Sequence, residues 1–458
     1  MATKDLNVAI VGAGPAGFYA AGALLKQDEF SVSVDLFDRL PAPYGLVRYG
    51  VAPDHEKIRN VIRIYQKTAA HESLRFFGNV EFGTDISHDD LLAHYDRVIY
   101  TTGAPSDRNL GIPGEDLPGS ISATAFVAWY NGHPDYVHQP INLDTETAVV
   151  VGVGNVAIDV ARILAKSIEE LETTDIADYA LEALRHSRIK DIYVLGRRGP
   201  AQAKFTNPEI REFGRLQIAE PVVRADELVL DDVSEAQRAD DRTTRRNLEI
   251  LNEFAAVGLT GKERRVHFRF LVSPVEIIGG EYGVTQVRIE RNALQATDSG
   301  YLQANGTGIF ETIDAGLVLR SVGYKGLPLA NLPHSSRSGT IPNDRGRILT
   351  SESGEPFFKS YVAGWAKRGA TGVIGTNKGD AAETVASLLE DVRTEGTGRS
   401  ERGSSGSIED LFRSRRVRFI SYDDWSRIEA AENALGESQG RPRVKFVTVE
   451  EMLSAAAE

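Results

Sequence analysis

The chain has 458 residues, of which 41% are hydrophobic and 26% charged, a composition typical of a folded protein with two or three domains. It contains no cysteine, which excludes disulfides, cysteine nucleophiles, thiolate-bound zinc, cysteine-held iron–sulfur clusters and redox-active thiol pairs. The net charge of −13 argues against broad nucleic-acid binding, which needs a cationic surface. If electrons pass through this chain, a bound organic cofactor must carry them.

The N-terminal sequence MATKDLNVAIVGAG lacks a basic region followed by a long apolar stretch. No run of about 18 uninterrupted apolar residues occurs anywhere in the chain. We therefore expect a cytoplasmic protein that does not insert into membranes.

The first chemical motif is a glycine-rich loop between a predicted strand and a predicted helix. An apolar strand precedes Gly12, Gly14 and Gly17, and an alanine-rich helical stretch follows them. Such a loop lets the backbone approach a pyrophosphate, whose charge the N–H groups of the helix N-terminus hold. The next strand ends at Asp38, about 20 residues downstream, where a carboxylate can bind ribose hydroxyls. The context predicts a dinucleotide site, although Asp38 alone could be a solvated acid.

A second unit of the same kind lies further along the chain. Gly152, Gly154 and Ala157 repeat the spacing, with an alanine in a place where the fingerprint permits it. The following strand ends in Arg197 and Arg198 instead of an acid. Two guanidiniums can bind a 2′-phosphate through forked, charge-assisted hydrogen bonds. The pair therefore predicts NADP(H) in preference to NAD(H), the alternative being two solvated arginines.

The spacing of this second unit is unusual. The interval between Ala157 and Arg197 exceeds the usual distance of about 20 residues. Residues 167–188 predict an inserted helical excursion within it. The NADP interpretation therefore depends on the arginine pair more than on the spacing.

Two dinucleotide sites in one chain imply a pair of cofactors. A nicotinamide transfers hydride and needs an acceptor in contact with it. Because the chain has neither cysteines nor a metal-ligand pattern, the natural occupant of the first site is FAD. The missing cysteines also exclude disulfide reduction, so the electrons must leave for a different acceptor.

The order of elements predicts an α/β protein with two Rossmann-like dinucleotide-binding domains and a small C-terminal extension. Predicted strands that end at Gly103 and Gly323 flank the second unit, as expected if one domain is inserted into the other. After residue 392 a glycine- and serine-rich stretch predicts a flexible linker. The predicted division is an FAD-binding domain in two parts, 1–103 and 326–393, an inserted NADP-binding domain, 104–325, a linker, 394–407, and a C-terminal extension, 408–458. Within the extension, residues 408–413 and 425–435 are predicted to be helical.

Several further motifs occur in order along nearly the whole chain. They are residues 43–55 (PYGLVRYGVAPDH), 76–80 (FFGNV), 112–119 (IPGEDLPG), 154–162 (GNVAIDVAR), 196–200 (GRRGP) and 369–378 (GATGVIGTNK). In this combination the chain resembles the adrenodoxin reductase family of NADPH-ferredoxin reductases, including its bacterial members. That family draws two electrons from NADPH into FAD and delivers them singly to an iron–sulfur ferredoxin. The resemblance implies the same activity and the same kind of partner here.

The resemblance also implies cofactor contacts at individual positions. The implied FAD contacts are Ala16, Asp38, Leu46 and Val80, with Trp365, Gly372, Val373 and Ile374 near the isoalloxazine. The implied NADP contacts are Asn155, Val156 and Ala157 at the pyrophosphate, Arg197 and Arg198 at the 2′-phosphate, and Arg108, Glu209 and Gly372. The departures from the family are Tyr44 in place of Trp or Phe, Asp38 in place of Glu, and Ala370 in place of Pro.

His55 and Glu212 are candidate proton-handling groups near the flavin. A histidine titrates close to neutral pH, which suits it to this task. Hydride transfer itself needs no general acid, so other roles stay open. His55 could be a structural histidine in the turn after Pro53 and Asp54, and Glu212 could lie on a solvated helix face.

Two groups of arginines are candidates for ferredoxin docking. Ferredoxins are commonly acidic, so a reductase with a net charge of −13 needs a local positive patch to steer the encounter. Arg242, Arg245 and Arg246 form one cluster on a predicted helix, and Arg211 and Arg215 form another. The alternative is a solvated helical face.

Two other functions are compatible with the motifs. One is a flavin monooxygenase or NADPH oxidase, whose reduced flavin meets oxygen or a small substrate. The other is a nucleotide-binding regulatory or electron-entry subunit that is inactive alone. The lack of a separate substrate domain and the two intact nucleotide motifs favour the ferredoxin reductase.

Overall fold

The structure is a computed structural model that describes residues 5–298, 301–352, 354–397 and 407–457. Its strands are β1 (Asp5–Val11), β2 (Ser31–Phe37), β3 (Leu74–Phe77), β4 (Arg97–Tyr100), β5 (Ser106–Asp107), β6 (Ser120–Ser122), β7 (Thr147–Val151), β8 (Asp191–Gly196), β9 (Ala219–Val223), β10 (Arg264–Phe270), β11 (Val272–Gly280), β12 (Gly283–Ala296), β13 (Leu302–Asp314), β14 (Leu317–Arg320), β15 (Tyr324–Lys325), β16 (Asn343–Asp344), β17 (Arg347–Leu349) and β18 (Pro356–Val362).

Its α-helices are α1 (Pro15–Leu24), α2 (Leu46–Tyr49), α3 (Glu56–Arg59), α4 (Ile62–Ala69), α5 (His88–His94), α6 (Ala123–Tyr130), α7 (Asn155–Ala165), α8 (Ile168–Leu171), α9 (Asp178–Arg185), α10 (Asn207–Glu212), α11 (Asp232–Asp240), α12 (Arg242–Val257), α13 (Trp365–Arg368), α14 (Thr376–Glu395), α15 (Ile408–Arg415), α16 (Tyr422–Ser438) and α17 (Val449–Ala457). In the described part of the chain, none of these helices is both long and apolar enough to cross a membrane.

The first sheet has seven strands in the order β16-β17-β18-β4-β1-β2-β3. The five strands from β18 to β3 are parallel, and β17 and β16 add an antiparallel edge. The central strand β1 is buried on both faces, which explains its almost continuous apolar sequence. Leu6 and Val8 pack in one core with residues of α1 and α14, such as Leu24 and Leu388. β1 ends at Val11, so its carboxyl end leads directly into the loop that begins at Gly12.

The second sheet has six strands in the order β6-β14-β7-β8-β10-β9, and all of its pairings are parallel. One face packs on α7, whose Ile158 and Ala161 share a core with Val150. The other face packs on the antiparallel sheet β11-β12-β13, where Val151 and Ile289 share a second core. The two parallel sheets have the predicted α/β architecture, whereas the sequence did not predict the antiparallel sheet.

A short antiparallel ribbon lies where the chain passes between the two parallel sheets. In this ribbon β5 pairs with β15, and Asp107 lies opposite Tyr324. The predicted crossings, near residues 104 and 325, fall at this ribbon. The division into domains stays a prediction, and the ribbon is consistent with it.

The C-terminal extension packs on the first sheet. The backbone of Ile420 forms two hydrogen bonds with Gly78 at the end of β3, and Phe412 of α15 packs edge-on against Phe77. The helices predicted near residues 408–413 and 425–435 are present as α15 and α16, whereas α17 was not predicted. Helix α14 continues to Glu395, so it enters the predicted linker, and residues 398–406 of that linker lie outside the described residues.

Candidate cofactor-binding and active site

Two of the three glycines in the first glycine loop, Gly12 and Gly17, are packed too closely to admit side chains. Gly12 has a φ of +109°, and a Cβ there would lie 2.7 Å from the carbonyl oxygen of Thr101. A Cβ on Gly17 would lie 2.1 Å from the carbonyl oxygen of Gly12. Helix α1 begins after Gly14 without a side-chain cap, which leaves the N–H groups of its first turn available to an anion.

Asp38 lies beside this loop, at the end of β2. Its carboxylate accepts hydrogen bonds from the backbone N–H groups of Ala13 at 2.8 Å and Leu40 at 3.0 Å. Burial raises the pKa of Asp38 above its ordinary value, and these hydrogen bonds oppose the rise. Its backbone carbonyl accepts a hydrogen bond from the N–H of Val80 at 2.9 Å, so the structure brings together these two residues, for which contacts with FAD are predicted.

The other residues predicted near FAD gather around the same helix. Leu46 follows Gly45, where a Cβ would lie 3.1 Å from the Cα of Gly14. On the opposite side of the loop, a Cβ on Gly364 would lie 2.5 Å from the Cβ of Ala16. Trp365, the next residue, stacks obliquely on Tyr324 with 4.9 Å between the ring centroids.

A third helix N-terminus faces outward near these residues. The stretch of Gly372, Val373 and Ile374 precedes α14, which begins without a side-chain cap. The side chain of Val373 is 64% exposed and Ile374 is half-buried against the core of the first sheet. The first N–H groups of α14 donate to backbone carbonyls of the preceding turn, so this stretch offers an exposed apolar surface that a flat ligand can cover.

The second glycine loop repeats the geometry of the first. Gly152 has a φ of +130°, and a Cβ there would lie 2.2 Å from the carbonyl oxygen of Ser321. Helix α7 begins after Gly154 without a side-chain cap. The side-chain oxygen of Asn155 accepts a hydrogen bond from the N–H of Thr206 at 2.9 Å, and the backbone N–H of Asn155 belongs to the first turn of α7, where a pyrophosphate can bind. Ala157 is fully buried against the sheet, and Val156 packs at the margin of the same core.

The arginine pair follows β8, at the same edge of the second sheet. Arg197 is exposed and Arg198 is half-buried. Within the described residues, neither guanidinium forms an ion pair with a carboxylate. Their charges are therefore free to bind an anionic ligand at the carboxyl end of the strands.

His55 lies where the two nucleotide-binding parts meet. Its Nε2 is 3.4 Å from the carboxylate of Glu212 and 3.7 Å from that of Glu209, and its Nδ1 is 3.7 Å from that of Asp159. The imidazole comes from the segment after the first loop, whereas the three carboxylates come from the second part of the chain. The structure thus brings the two predicted proton-handling residues together.

A buried arginine neutralises these carboxylates. The Arg162 side chain is fully buried and donates to both oxygens of Asp54, at 2.8 and 3.0 Å. Its guanidinium also lies 2.8 Å from Asp159 and 3.2 Å from Glu212. One cation therefore balances several acids of the cluster.

Electrostatics separate the members of this cluster. Burial disfavours the charged form of His55, but the hydrogen bond to Glu212 and the nearby Asp159 outweigh it and raise the pKa of His55. Burial raises the pKa of Asp159, and Arg162 opposes this rise. Burial and the neighbouring charge of Asp159 raise the pKa of Glu209, and His55 and Arg162 oppose that rise. The surroundings of His55 therefore favour its protonated form relative to a free imidazole.

The remaining predicted contact is Arg108, which lies on the connection between the sheets. It is exposed, its backbone N–H donates to Gly323 at 2.9 Å, and its guanidinium donates to the carbonyl of Ser338 at 3.3 Å. It lies on the strand connection near the second site.

Comparisons with known proteins agree with this geometry. A family model described as "Pyridine nucleotide-disulphide oxidoreductase" matches residues 6–194. The NADPH-ferredoxin reductase FprA of Mycobacterium leprae is 43% identical over 455 residues, which cover 98% of this chain and 97% of the relative. The chain belongs to the NADPH-ferredoxin reductase family. Because it has no cysteine, the disulphide chemistry in the description of the family model does not apply to it.

Other members of the family match equally completely. The mitochondrial NADPH:adrenodoxin oxidoreductase of Arabidopsis thaliana is 41% identical over 468 residues, which cover 99% of this chain and 96% of the relative. The structure of Mycobacterium tuberculosis FprA in complex with NADPH superposes with a TM-score of 0.93 at 43% identity, covering 99% of this chain and all of that one. The predicted family resemblance and the predicted fold class are confirmed.

Several residues of the site were not predicted. His55 and Glu212 were predicted from their sequence context, whereas no role was predicted for Asp54, Asp159 or Arg162. The last two lie three residues apart within the motif of residues 154–162, so they share one face of α7. That spacing was the only local signal, since Asp54 lies 108 residues from Arg162.

Proposed function

We propose that this reductase oxidises NADPH at the second glycine loop and, through FAD at the first, reduces a ferredoxin-type iron–sulfur protein. The observation that carries the proposal is the pair of close-packed glycine loops, each followed by an uncapped helix, in a chain of this family. The arginine pair in the second unit selects the phosphorylated nicotinamide cofactor. Because the chain has no cysteine pair that could accept the electrons, they must pass to an external acceptor.

The residues of the first site fit FAD. The N–H groups at the start of α1 would hold the pyrophosphate, and Asp38 would accept from ribose hydroxyls with its remaining lone pairs. The exposed Val373 and the uncapped start of α14 would cover the isoalloxazine beside Trp365. When bound, FAD supplies a two-electron acceptor for hydride that can release electrons one at a time.

The residues of the second site fit NADPH. The first N–H groups of α7, those of Asn155 and Val156, would hold the pyrophosphate, and Arg197 and Arg198 would hold the 2′-phosphate. Glu209 has a buried carboxylate oxygen without a hydrogen-bond partner among the described residues. It can accept a hydrogen bond from an amide of the bound ligand.

His55 and Glu212 act at the junction of the two sites. We assign to them the role of holding a proton beside the nicotinamide and isoalloxazine rings. Arg162 fixes the positions of the surrounding carboxylates. The cluster is largely closed to solvent, since the His55 side chain is only 11% exposed. Exclusion of water strengthens the electrostatic interactions that orient the ligands.

The proposed ferredoxin-docking arginines lie on neighbouring helices. Asn207 of α10 donates to the carbonyl of Thr243 in α12 at 2.9 Å, so the two helices touch. Arg246 forms an ion pair with Glu249 at 2.6 Å, which reduces its value as a docking charge. No ion pair is present, within the described residues, for the other four arginines: Arg211, Arg215, Arg242 and Arg245. We propose these four as the main docking charges.

Purification of the chain followed by electron-transfer assays tests the function. We expect the purified protein to carry FAD and to transfer electrons from NADPH to an oxidised ferredoxin under anaerobic conditions. Substrate-dependent consumption of NADPH and oxygen, without ferredoxin reduction, would favour a monooxygenase or oxidase. A protein that takes up no flavin, or that fails to oxidise NADPH with any acceptor, would contradict the proposal.

A further inference from the structure

The turn that carries the two arginines is held by the antiparallel sheet β11-β12-β13. The carbonyl oxygen of Arg197 accepts a hydrogen bond from the Asn292 side chain at 2.8 Å. The carbonyl oxygen of Arg198 accepts one from the backbone N–H of Leu271 at 3.1 Å. Both backbone carbonyls of the pair are thus fixed by hydrogen bonds, and within the described residues neither guanidinium forms an ion pair with a carboxylate.

Asn292 is fixed for this task by its own surroundings. The residue is 8% exposed, its side chain also donates to Ser273 at 2.8 Å, and its backbone N–H donates to Leu271 at 2.7 Å. The pairing of β12 with β13 shifts register between Glu290 and Asn292. Such irregularities occur beside functional sites, where they re-aim a side chain.

Tyr301 reaches the same turn from the connection between β12 and β13. Its ring centre lies 5.2 Å from the guanidinium carbon of Arg198, and the residue is 49% exposed. Its backbone is held to Thr297 by hydrogen bonds of 2.8 and 3.2 Å. An aromatic ring on the face of a guanidinium leaves the N–H groups along its edge free to bind an anion.

We propose that Asn292 and Tyr301 strengthen the preference of this enzyme for the 2′-phosphorylated nicotinamide nucleotide by positioning the arginine pair. Asn292 positions the arginine turn through its backbone, and Tyr301 orients the Arg198 side chain through its face. This proposal rests on the assignment of Arg198 to the 2′-phosphate. It makes the antiparallel sheet part of the nucleotide site.

Equilibrium binding of NADP+ and NAD+ to the oxidised FAD-containing protein, measured by calorimetry, tests the proposal. Tyr301→Ala should weaken NADP+ binding about twofold to fivefold and leave NAD+ binding unchanged. Tyr301→Phe keeps the ring and should keep the wild-type ratio of the two dissociation constants. Asn292→Ala should weaken NADP+ binding about twofold to tenfold through the lost hydrogen bond.

A matched control lies on the same sheet. Phe310 packs on the guanidinium of Arg288 with 4.3 Å between them, so Phe310→Ala removes the same kind of contact away from the arginine turn. This variant should leave the ratio of the dissociation constants unchanged. Because Tyr301 is exposed, the test does not depend on the folding of the Asn292 variant.

The Arg198→Ala variant separates the two levels of the proposal. Suppose that Arg198→Ala abolishes the discrimination between NADP+ and NAD+, while Tyr301→Ala and Asn292→Ala leave the ratio of the two dissociation constants unchanged. The proposed role of the antiparallel sheet is then wrong, and the assignment of Arg198 to the 2′-phosphate stands. If only one of Tyr301→Ala and Asn292→Ala leaves the ratio of the dissociation constants unchanged, the proposed role of that one residue is wrong. If Arg198→Ala itself leaves the ratio unchanged, the phosphate assignment and the inference both fail.

Discussion

The central residues of this enzyme form a charge cluster in which one buried arginine serves several acids. Arg162 contacts Asp54, Asp159 and Glu212, and burial of these groups makes each unpaired charge costly. Lys166 adds a second cation 3.1 Å from Asp54, and His55 adds a third when it is protonated, a form that its raised pKa favours. The net charge of the cluster therefore changes with the protonation of the His55 imidazole.

Removal of the Glu212 charge should lower the pKa of His55. In Glu212→Gln the imidazole loses a carboxylate partner at 3.4 Å, while burial and Arg162 continue to disfavour its charged form. The stabilisation from charged His55 is present below its unfolded-state pKa and is lost as pH rises through the raised folded-state pKa, so in the variant the loss occurs at lower pH. Titration of the imidazole resonances by NMR measures the shift.

Glu182→Gln is the matched control. It removes the carboxylate 2.9 Å from the exposed His186 and should leave the titration of His55 unchanged. An unchanged pKa of His55 in Glu212→Gln would contradict the account of the cluster.

At the residue scale, the functional residues that could be predicted from the sequence are those that form a local pattern. The glycines before α1 and α7 and the pair Arg197 and Arg198 all have a local pattern. The ion pair of Asp54 with Arg162 and the hydrogen bond of Asn292 to Arg197 join residues about a hundred positions apart, so no spacing reveals them.

At the scale of elements, the helices begin in different ways. Helices α5, α8, α15 and α16 each begin with a serine capping box. Helices α1 and α7 begin after the two glycine loops without a side-chain cap. A helix that must bind an anion keeps its first N–H groups free, so these two helix starts suit the pyrophosphates of the two cofactors.

The C-terminal extension is attached to the flavin-binding part by a buried ion pair. Arg48 of α2 forms a bidentate contact with Glu432 of α16, at 2.8 Å for one of its bonds, and both side chains are almost fully buried. The sequence predicted α15 and α16 from their helical patterns. It could not predict this attachment, because a charged residue on a predicted helix is usually exposed.

Neutralisation of Glu432 should destabilise the protein strongly. Glu432→Gln leaves the Arg48 charge buried without a counterion, which costs about 3–5 kcal/mol. Glu437→Gln, on the exposed face of the same helix, should change the free energy of unfolding by less than about 0.5 kcal/mol. Denaturant unfolding of the two variants measures the difference, and equal stabilities would show that the pair does not attach the extension.

At the scale of the whole molecule, the extension contacts both nucleotide-binding parts. Besides the ion pair with Arg48, Arg441 donates to the carbonyl of Thr174 at 2.9 Å. Thr174 belongs to the helical excursion that the sequence predicted within the second unit. The excursion therefore provides a contact surface for the extension.

Charge reversal on α12 should weaken the encounter with ferredoxin. In the double variant Arg242→Glu and Arg245→Glu, kcat/KM for ferredoxin should fall about tenfold at low salt, because the electrostatic steering is lost. NADPH-dependent reduction of a small neutral dye should be unchanged. The double variant Arg185→Glu and Arg188→Glu, at two exposed arginines that form ion pairs with Glu182 and Asp144, has the same net charge and is the control. Equal losses with dye and with ferredoxin would contradict docking at α12.

The rate of flavin reduction tests the central claim most directly. The FAD-containing protein is mixed anaerobically with equal concentrations of NADPH or NADH, and loss of the oxidised flavin absorbance is followed before oxidised ferredoxin is added. We predict rapid bleaching with NADPH, much slower bleaching with NADH, and return of the absorbance on addition of ferredoxin. Equal rates with the two nucleotides, or a reduced flavin that ferredoxin does not reoxidise, would contradict the account.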